Sequence, residues 1–414
     1  MLSPMRSIWP TKRNTSTKRR VFVGLSGGVD SAVSAALLKK DGYEVTGVFI
    51  RIAIEGYPCT AGVDKLDAMR VAAHLRIPFL SVDLSQEYID RVFEISIAEF
   101  ANGRTPNPDA LCNREIKFGL FFDWCMAQGA EMVATGHYAQ VAPEKPAQKK
   151  VIGSSLRTQP DHFFEPVFLY SGADSDKDQS YFLWAVPETK LRKTLFPVGS
   201  FTKQEVRRLA KKFGLPNSDR KDSQGLCFLG PVSINEMLHK ELQLVPGDVL
   251  DENGAVAGKH EGVQAYTLGQ RHGFVLTLQT PDTRPHFVVA KDITRNTITV
   301  STNKFPEHAR TTEITLSDVN WIGEHREGSY MARYRYRQKL IPTRLQRTVL
   351  RNGSQGLSLV TLEEPHFVPE GQSLVLYDMD KTCLPAGRCV GGGVILNARY
   401  GDTDRKSRRP ARTV

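Results

Sequence analysis

From Val21 to about Gly136, short apolar runs alternate with stretches whose apolar residues recur at helical spacing. Val21–Gly24, Val45–Ile50, Phe79–Asp83 and Met132–Thr135 are rich in β-branched and aromatic residues, which predicts strands. The stretch ending at Leu38 and those from Asp64 to Leu75, Gln86 to Ala101 and Arg114 to Gln128 predict helices. Alternation of this kind implies an α/β, Rossmann-like parallel sheet with helices on both faces. Ligands of such sheets sit at the carboxyl ends of the strands, where the Ser26–Gly28 loop, Ile50 and Gly136 emerge. A further amphipathic helix is expected from Lys203 to Phe213. After about residue 231 short strands and turn signals take over, at Val249–Leu250, Phe287–Ala290, Thr297–Val300, Thr343–Leu350, Leu357–Leu362 and Ser373–Tyr377. This texture predicts a small mostly-β module over 231–302 and an all-β barrel or sandwich over 303–400.

The first strand runs straight into Ser26-Gly27-Gly28, and Val29-Asp30-Ser31 then opens a helix. Glycine allows close backbone approach, and the first amides of a helix attract anions, so Gly24, Leu25, Ser26, Gly27, Gly28, Val29, Asp30 and Ser31 predict a phosphate cradle. No Gly-Lys-Ser/Thr closes the loop, which excludes a Walker A site.

The chain has 414 residues, enough for two or three domains, and a formal net charge of +10. That excess suits a polyanionic partner, although part of it lies at the two ends. Residues 1–20 contain Arg6, Lys12, Arg13, Lys18, Arg19 and Arg20, no acid and no apolar core, and read as a mitochondrial presequence or a disordered basic arm. The basic stretch in 401–414 reads as a solvated tail, and no apolar run reaches the length of a bilayer span.

None of the six cysteines forms a CxxC pair, which argues against a zinc site or a disulfide scaffold. Cys112 follows Thr105-Pro106-Asn107-Pro108-Asp109, a segment with two prolines that reads as a stiff loop ending just before a helix. There a thiol is either a small buried hydrophobe or one activated by the helix dipole. Asp109 is equally a proton handler or a turn former. Cys227 stands in an apolar bracket behind the polar loop Arg220–Gly225, and Cys125 falls within an apolar helix. Arg333-Tyr334-Arg335-Tyr336-Arg337 reads as a strand with one basic face, or as charge combined with a stacking plane for RNA.

The glycine loop resembles the PP-loop of ATP pyrophosphatases. Taken with TPNPDALCNREIKF (105–118), ATGHYA (134–139), DKDQSYFL (176–183), KDSQGLCF (221–228), YTLGQRHG (266–273), RYRQ (335–338) and GGGVI (391–395), the chain resembles the tRNA-specific 2-thiouridylases in their mitochondrial form. The resemblance implies a PP-loop domain over 21–230, a small central domain over 231–302 and a C-terminal β-barrel for tRNA over 303–400. It implies adenylation of the C2 oxygen of a wobble uridine by ATP, with Mg2+ on the polyphosphate, followed by sulfur transfer from an enzyme persulfide. In that scheme Gly24 to Ser31, Ile50 and Gly136 hold the nucleotide, Cys112 is the nucleophile and Cys227 carries the persulfide. Asn107, Pro108 and Asp109 face the target base, while His137, Lys177, Asp178, Gln179, Arg335, Tyr336 and Gln372 contact tRNA. The implied sulfur donor is a cysteine desulfurase or sulfur-relay protein, and the implied compartment is the mitochondrial matrix.

The chain departs from the family pattern in Ile50, which stands where bacterial members often have Met, and in an insertion, Leu384–Cys389, before the last glycines. The segment 143–166 reads as a loose linker. Two rivals remain: a PP-loop enzyme adenylating a small metabolite, and a catalytically silent RNA-binding protein.

Overall fold

The computed structural model describes residues 18–58, 60–142, 167–221, 230, 232–277, 284–305, 310–323, 327–347, 358–378 and 387–401. Cys59, Cys227, Cys383, most of the basic leader, the 143–166 linker and the basic tail lie outside the described residues.

The first sheet comprises β1 (Arg20–Gly24), β2 (Glu44–Arg51), β3 (Phe79–Asp83), β4 (Met132–Ala134) and, after the antiparallel pair β5 (Ala139–Ala142) and β6 (Phe168–Ser171), β7 (Thr194–Leu195). Its order is β3-β2-β1-β4-β7 and its pairs are parallel. Strand order reverses between β1 and β4, so the loop after β1 and the turn after β4 open into one crevice. Val21, Val23 and Leu25 point into one buried layer with α1 (Val29–Lys40) and α2 (Ala61–Leu75). Phe22, Val48 and Val133 point into the opposite layer, under helical segments spanning 85–101 and 108–127. This alternation buries both faces, as the continuous apolar strands require.

The second sheet contains β8 (Gly247–Leu250), β9 (Val256–His260), β10 (Val275–Leu276), β11 (Phe287–Asp292) and β12 (Thr297–Ser301), in the order β10-β9-β8-β12-β11. Val249, Val263, Tyr266, Val288, Ile298 and Val300 form its own small core.

The third comprises β13 (Thr311–Trp321), β14 (Gly328–Arg333), β15 (Ile341–Arg347), β16 (Ser358–Leu362), β17 (Ser373–Asp378) and β18 (Arg388–Gly401). They run β13-β16-β15-β14-β17-β18, and β18 pairs back onto β13, closing a six-stranded barrel around Leu316, Leu345, Val360, Leu374 and Leu376. Closure leaves the barrel without free edges. Leu384–Cys389 does not prevent the last pair, since Asp378 registers with Arg388 and Ser373 with Val394.

Two features depart from the linear reading. The β5–β6 hairpin joins the barrel's sheet through β6 and β18, at Tyr170–Arg388 and Leu169–Cys389. Arg333-Tyr334-Arg335-Tyr336-Arg337 is not one strand: β14 ends at Arg333 and the rest is a turn with Arg337 at φ +62°.

Candidate functional site

At the mouth of the crevice, Gly27 adopts φ +79°, a conformation that side chains resist. A Cβ there would lie 2.6 Å from the Asp64 carbonyl oxygen, so α2 closes directly over the turn. The Ser31 hydroxyl donates to the Gly28 carbonyl at 3.1 Å and lies 3.3 Å from the Ser26 hydroxyl, which fixes the loop from inside. Asn217 donates to the Gly27 carbonyl at 2.7 Å, and its own Oδ1 is buried with no partner. No side chain caps α1, which leaves its first turn oriented toward the crevice as an anion site. Gly136 presses on that turn: a Cβ would meet the Ser31 nitrogen at 2.7 Å. Gly24, Leu25, Ser26, Gly27, Gly28, Val29, Asp30, Ser31 and Gly136 are thus brought together, while Ile50 lies near the end of neighbouring β2.

Asp30 lies in the first turn of α1, where its carboxylate accepts from Tyr138 Oη at 2.8 Å and from Lys203 Nζ at 2.7 and 2.8 Å. On the other side Arg220 pairs with Asp64 and, at 2.7 Å, with Asp67. The described residues include no group of three or more His, Cys, Asp or Glu able to hold an ion.

The expected helix start near Cys112 needs correction. The helix starts at Pro108, not after Cys112, because proline at the first helical position loses no hydrogen bond and brings a suitable φ. Asn107 caps it, accepting from the Ala110 amide at 3.1 Å, and Asp109 is half-buried in its first turn. Cys112 and Ile116, one turn apart, therefore face inward, and the Cys112 thiol is free and 0% exposed among Phe100, Phe121 and their neighbours. It is followed by a wider-wound π segment, Asn113–Leu120. Cys125 is buried as expected, and burial pushes its thiol up to about 12.

The segment before this helix is clamped by the barrel and by the second sheet. The Thr105 amide donates to the Glu370 carbonyl at 2.7 Å, Asn107 Nδ2 donates to Ser373 Oγ at 3.3 Å, and Lys291 donates to the Gly103 carbonyl at 3.2 Å. Burial lowers the Lys291 pKa to about 8. Behind the clamp lies a cavity of about 430 Å³ whose lining includes Arg104, Asn107, Trp184 and Glu370.

The residues expected to contact tRNA divide into two groups. Lys177, Arg335 and Tyr336 reach the surface in part. There Tyr336 stacks on Phe182 with centroids 4.8 Å apart, and Arg337 bonds the Asp176 carbonyl at 2.9 Å, joining the two segments. Arg335 also donates to the Leu268 carbonyl of the central domain. Gln179 and Gln372 are half-buried; their amide oxygens accept from the Tyr138 amide at 3.0 Å and from Tyr181 Oη at 3.0 Å.

Asp178 and His137 point inward. Asp178 is 2% exposed, accepts from the Gly172 and Ser180 amides at 3.0 Å each, and pairs with buried Arg333. Arg333 in turn bonds Tyr377 Oη at 2.7 Å. Burial opposes the Arg333 charge, but Tyr377 and Asp178 outweigh it and hold its pKa above the ordinary value. His137 stacks edge-on to Phe196 and lies 2.8 Å from Thr135 Oγ1. Burial, reinforced by Lys117, drives its pKa well below the usual range, so the ring is neutral.

Sequence reasoning missed Lys203, Arg220, Asn217 and Arg333. Only Lys203 carried a local signal, a cation in the first turn of a helix, where the dipole disfavours it.

Three family models match in chain order: a tRNA methyl transferase HUP domain at residues 19–231, a tRNA methyl transferase PRC-barrel domain at 235–302 and an aminomethyltransferase beta-barrel domain at 311–395. A tRNA-specific 2-thiouridylase MnmA from Enterococcus faecalis is 39% identical over 390 residues, covering 92% of this chain and 96% of that one. Its namesake from Lactococcus lactis subsp. cremoris is 41% identical over 387 residues, covering 91% and 94%. Among solved structures, a 4-thiouridine synthetase–RNA complex with bound ATP aligns at 17% identity and a TM-score of 0.30, covering 54% of this chain and 50% of that one.

Proposed function

Because the chain belongs to the tRNA-specific 2-thiouridylase family, we propose that it thiolates the wobble uridine of tRNA at C2 in an ATP-dependent reaction. The observation that carries the ATP half is the cradle itself: Gly27, Gly28 and the open first turn of α1, with Gly136 pressed close enough that only glycine fits. Magnesium, as the usual counter-ion of ATP, would ride on the phosphates and needs no protein cluster.

A uracil carbonyl is a poor leaving group, so the chemistry divides in two. The C2 oxygen attacks the α-phosphorus, the bond to the bridging oxygen breaks, and pyrophosphate leaves with the electron pair. The terminal sulfur of a Cys227 persulfide then adds at C2 and AMP departs. The Cys112 thiolate attacks the Cys227 sulfur, leaving the transferred sulfur on the base and forming a Cys112–Cys227 disulfide. A dithiol reductant supplies the two electrons that reopen it. Asp109, three residues before Cys112, is the candidate proton acceptor. A cysteine desulfurase or relay protein would load Cys227.

Two features support this division. Arg220 and Gly230, described residues on either side of Cys227 in the sequence, sit respectively against the Gly27 turn and beside Pro58 and Thr60. The helical segment 108–127 packs against the end of β1, with Phe121 3.6 Å from where a Gly24 Cβ would stand. Cys112 has no solvent access in this arrangement, so its step requires the first turns of that helix to shift, and the π segment beside it is the natural place for such a shift.

Lys177, Arg335 and Tyr336 form the proposed tRNA-facing surface. Asp178 and Arg333 act beneath it as positioning residues. The basic leader supports a mitochondrial address; a reporter fused to residues 1–20 that stayed in the cytosol would refute that. Purified protein, tRNA, ATP and a persulfide donor should yield wobble 2-thiouridine with matching AMP and pyrophosphate. Pyrophosphate release independent of tRNA, supported by a small metabolite, would overturn the reading in favour of a metabolite synthetase.

A further inference from the structure

We propose that Lys203 is a catalytic residue of the adenylation step, the cation that contacts the leaving pyrophosphate. The inference rests on the reading of Gly24–Ser31 as the ATP loop and adds a ligand to it from a different part of the chain.

Among the described residues two cations border the loop. Arg220 is flanked by two carboxylates, Asp64 and Asp67, and adds no net positive charge for an incoming polyanion. Lys203 is matched to Asp30, with Nζ at 2.7 and 2.8 Å from its two oxygens. The side chain is only 13% exposed and its ammonium lies 6.0 Å from the Tyr138 ring centre.

Its position serves nothing in its own helix. Lys203 occupies the first residue of Lys203–Lys212, at the positive end of the dipole, where an acid would stabilise and a cation does not. The backbone there is nevertheless held firmly. Thr202 and Glu205 form a capping box, and the Lys203 amide donates to Asp174 Oδ2 at 2.8 Å. A rigid base thus delivers a largely enclosed ammonium to the first turn of the phosphate helix.

An ATP whose phosphates lie on the α1 amides brings its negative charge against the Asp30 carboxylate. Lys203 is the group able to turn from one anion to the other, since its three protons rotate about a flexible stem. As the uracil oxygen attacks the α-phosphorus, the electron pair of the breaking bond passes to the pyrophosphate oxygen. Charge builds where a cation from Lys203 counts most.

The test is calorimetric binding of ATP, AMP and pyrophosphate, with tRNA-dependent pyrophosphate release, on the full chain and its Lys203→Met, Lys203→Arg and Asp30→Asn/Lys203→Met variants. If the unaltered chain binds neither ATP nor AMP, the ATP-loop reading fails before Lys203 is tested. With that binding in hand, Lys203→Met should weaken ATP and pyrophosphate at least about tenfold, leave AMP within about twofold, and slow release about 10²-fold or more, the usual loss for one charge-stabilising group. Lys203→Arg should recover part of the pyrophosphate affinity. The double variant should stay slow although no unpaired carboxylate remains. Equal losses of AMP and ATP binding, unchanged pyrophosphate affinity, or recovery of turnover in the double variant would each show that Lys203 merely neutralises Asp30.

Discussion

Gly136→Ala tests the cradle with a single methyl group. A Cβ at Gly136 would stand 2.7 Å from the Ser31 nitrogen, 2.9 Å from the Asp30 carbonyl carbon and 3.1 Å from the Asp30 Cβ. Two of these neighbours are backbone of the first turn of α1, so no rotamer change relieves the contact. Restoring an ordinary separation moves the turn after β4 and the start of α1 apart by roughly 0.7 Å. Overpacking of this kind costs about 1–3 kcal/mol of folding free energy. The same movement displaces the amides that hold phosphate, and misplacement approaching 1 Å costs about 10²-fold in rate. We expect tRNA-dependent pyrophosphate release to fall about 10- to 100-fold in kcat/KM for ATP, with weaker ATP binding by calorimetry. Gly62→Ala, outside the cradle, is the internal control: its Cβ would meet nothing within 4 Å, and activity should stay within about twofold. Normal ATP binding and an unchanged melting temperature in Gly136→Ala would refute the reasoning, the more so if Gly62→Ala were the impaired variant.

Arg333→Met strands the Asp178 carboxylate in the interior and should cost about 3–5 kcal/mol in denaturant unfolding, with weaker tRNA binding because the Lys177 and Arg335 segments lose their common base. A cost under about 1 kcal/mol would mean that the pair is not buried as described. Lys291 makes a pH-dependent contribution: burial brings its pKa from the ordinary 10.5 down to about 8 in the fold. Between those values the unfolded chain binds more protons, so stability contributed here rises as pH climbs from about 8 to 10.5, by about 3 kcal/mol at most. The difference in unfolding free energy between the unaltered chain and Lys291→Met should carry that slope; a flat difference would show that the lysine is solvated.

Much of the fold was legible because its signals are local. The four strands from Val21 to Thr135 and the barrel strand at Ser373–Tyr377 appear within a residue or two of their expected bounds, since each carries its own apolar pattern. What was not legible depends on partners distant in sequence. Asp178 sits in a wholly polar run, Asp176–Ser180, and reads as surface until Arg333, 155 residues later, is folded against it. The β5–β6 hairpin gives no sign that its edge belongs to β18. The helix start near Cys112 differs for a local reason: two prolines read as a stiff loop, whereas proline at the first helical position is a helix starter. That one shift puts Cys112 within a helix, on its buried face.

The central claim is that Cys227 carries the sulfur and Cys112 is its partner thiol, and the most direct measurement is peptide mass spectrometry of the protein loaded with labelled sulfane sulfur, beside a 2-thiouridine assay on tRNA. The account predicts label on Cys227 in the unaltered chain and in Cys112→Ser, no label in Cys227→Ser, and thiolated tRNA from neither variant. Substantial 2-thiouridine from Cys227→Ser, or label found on Cys112 alone, would contradict it.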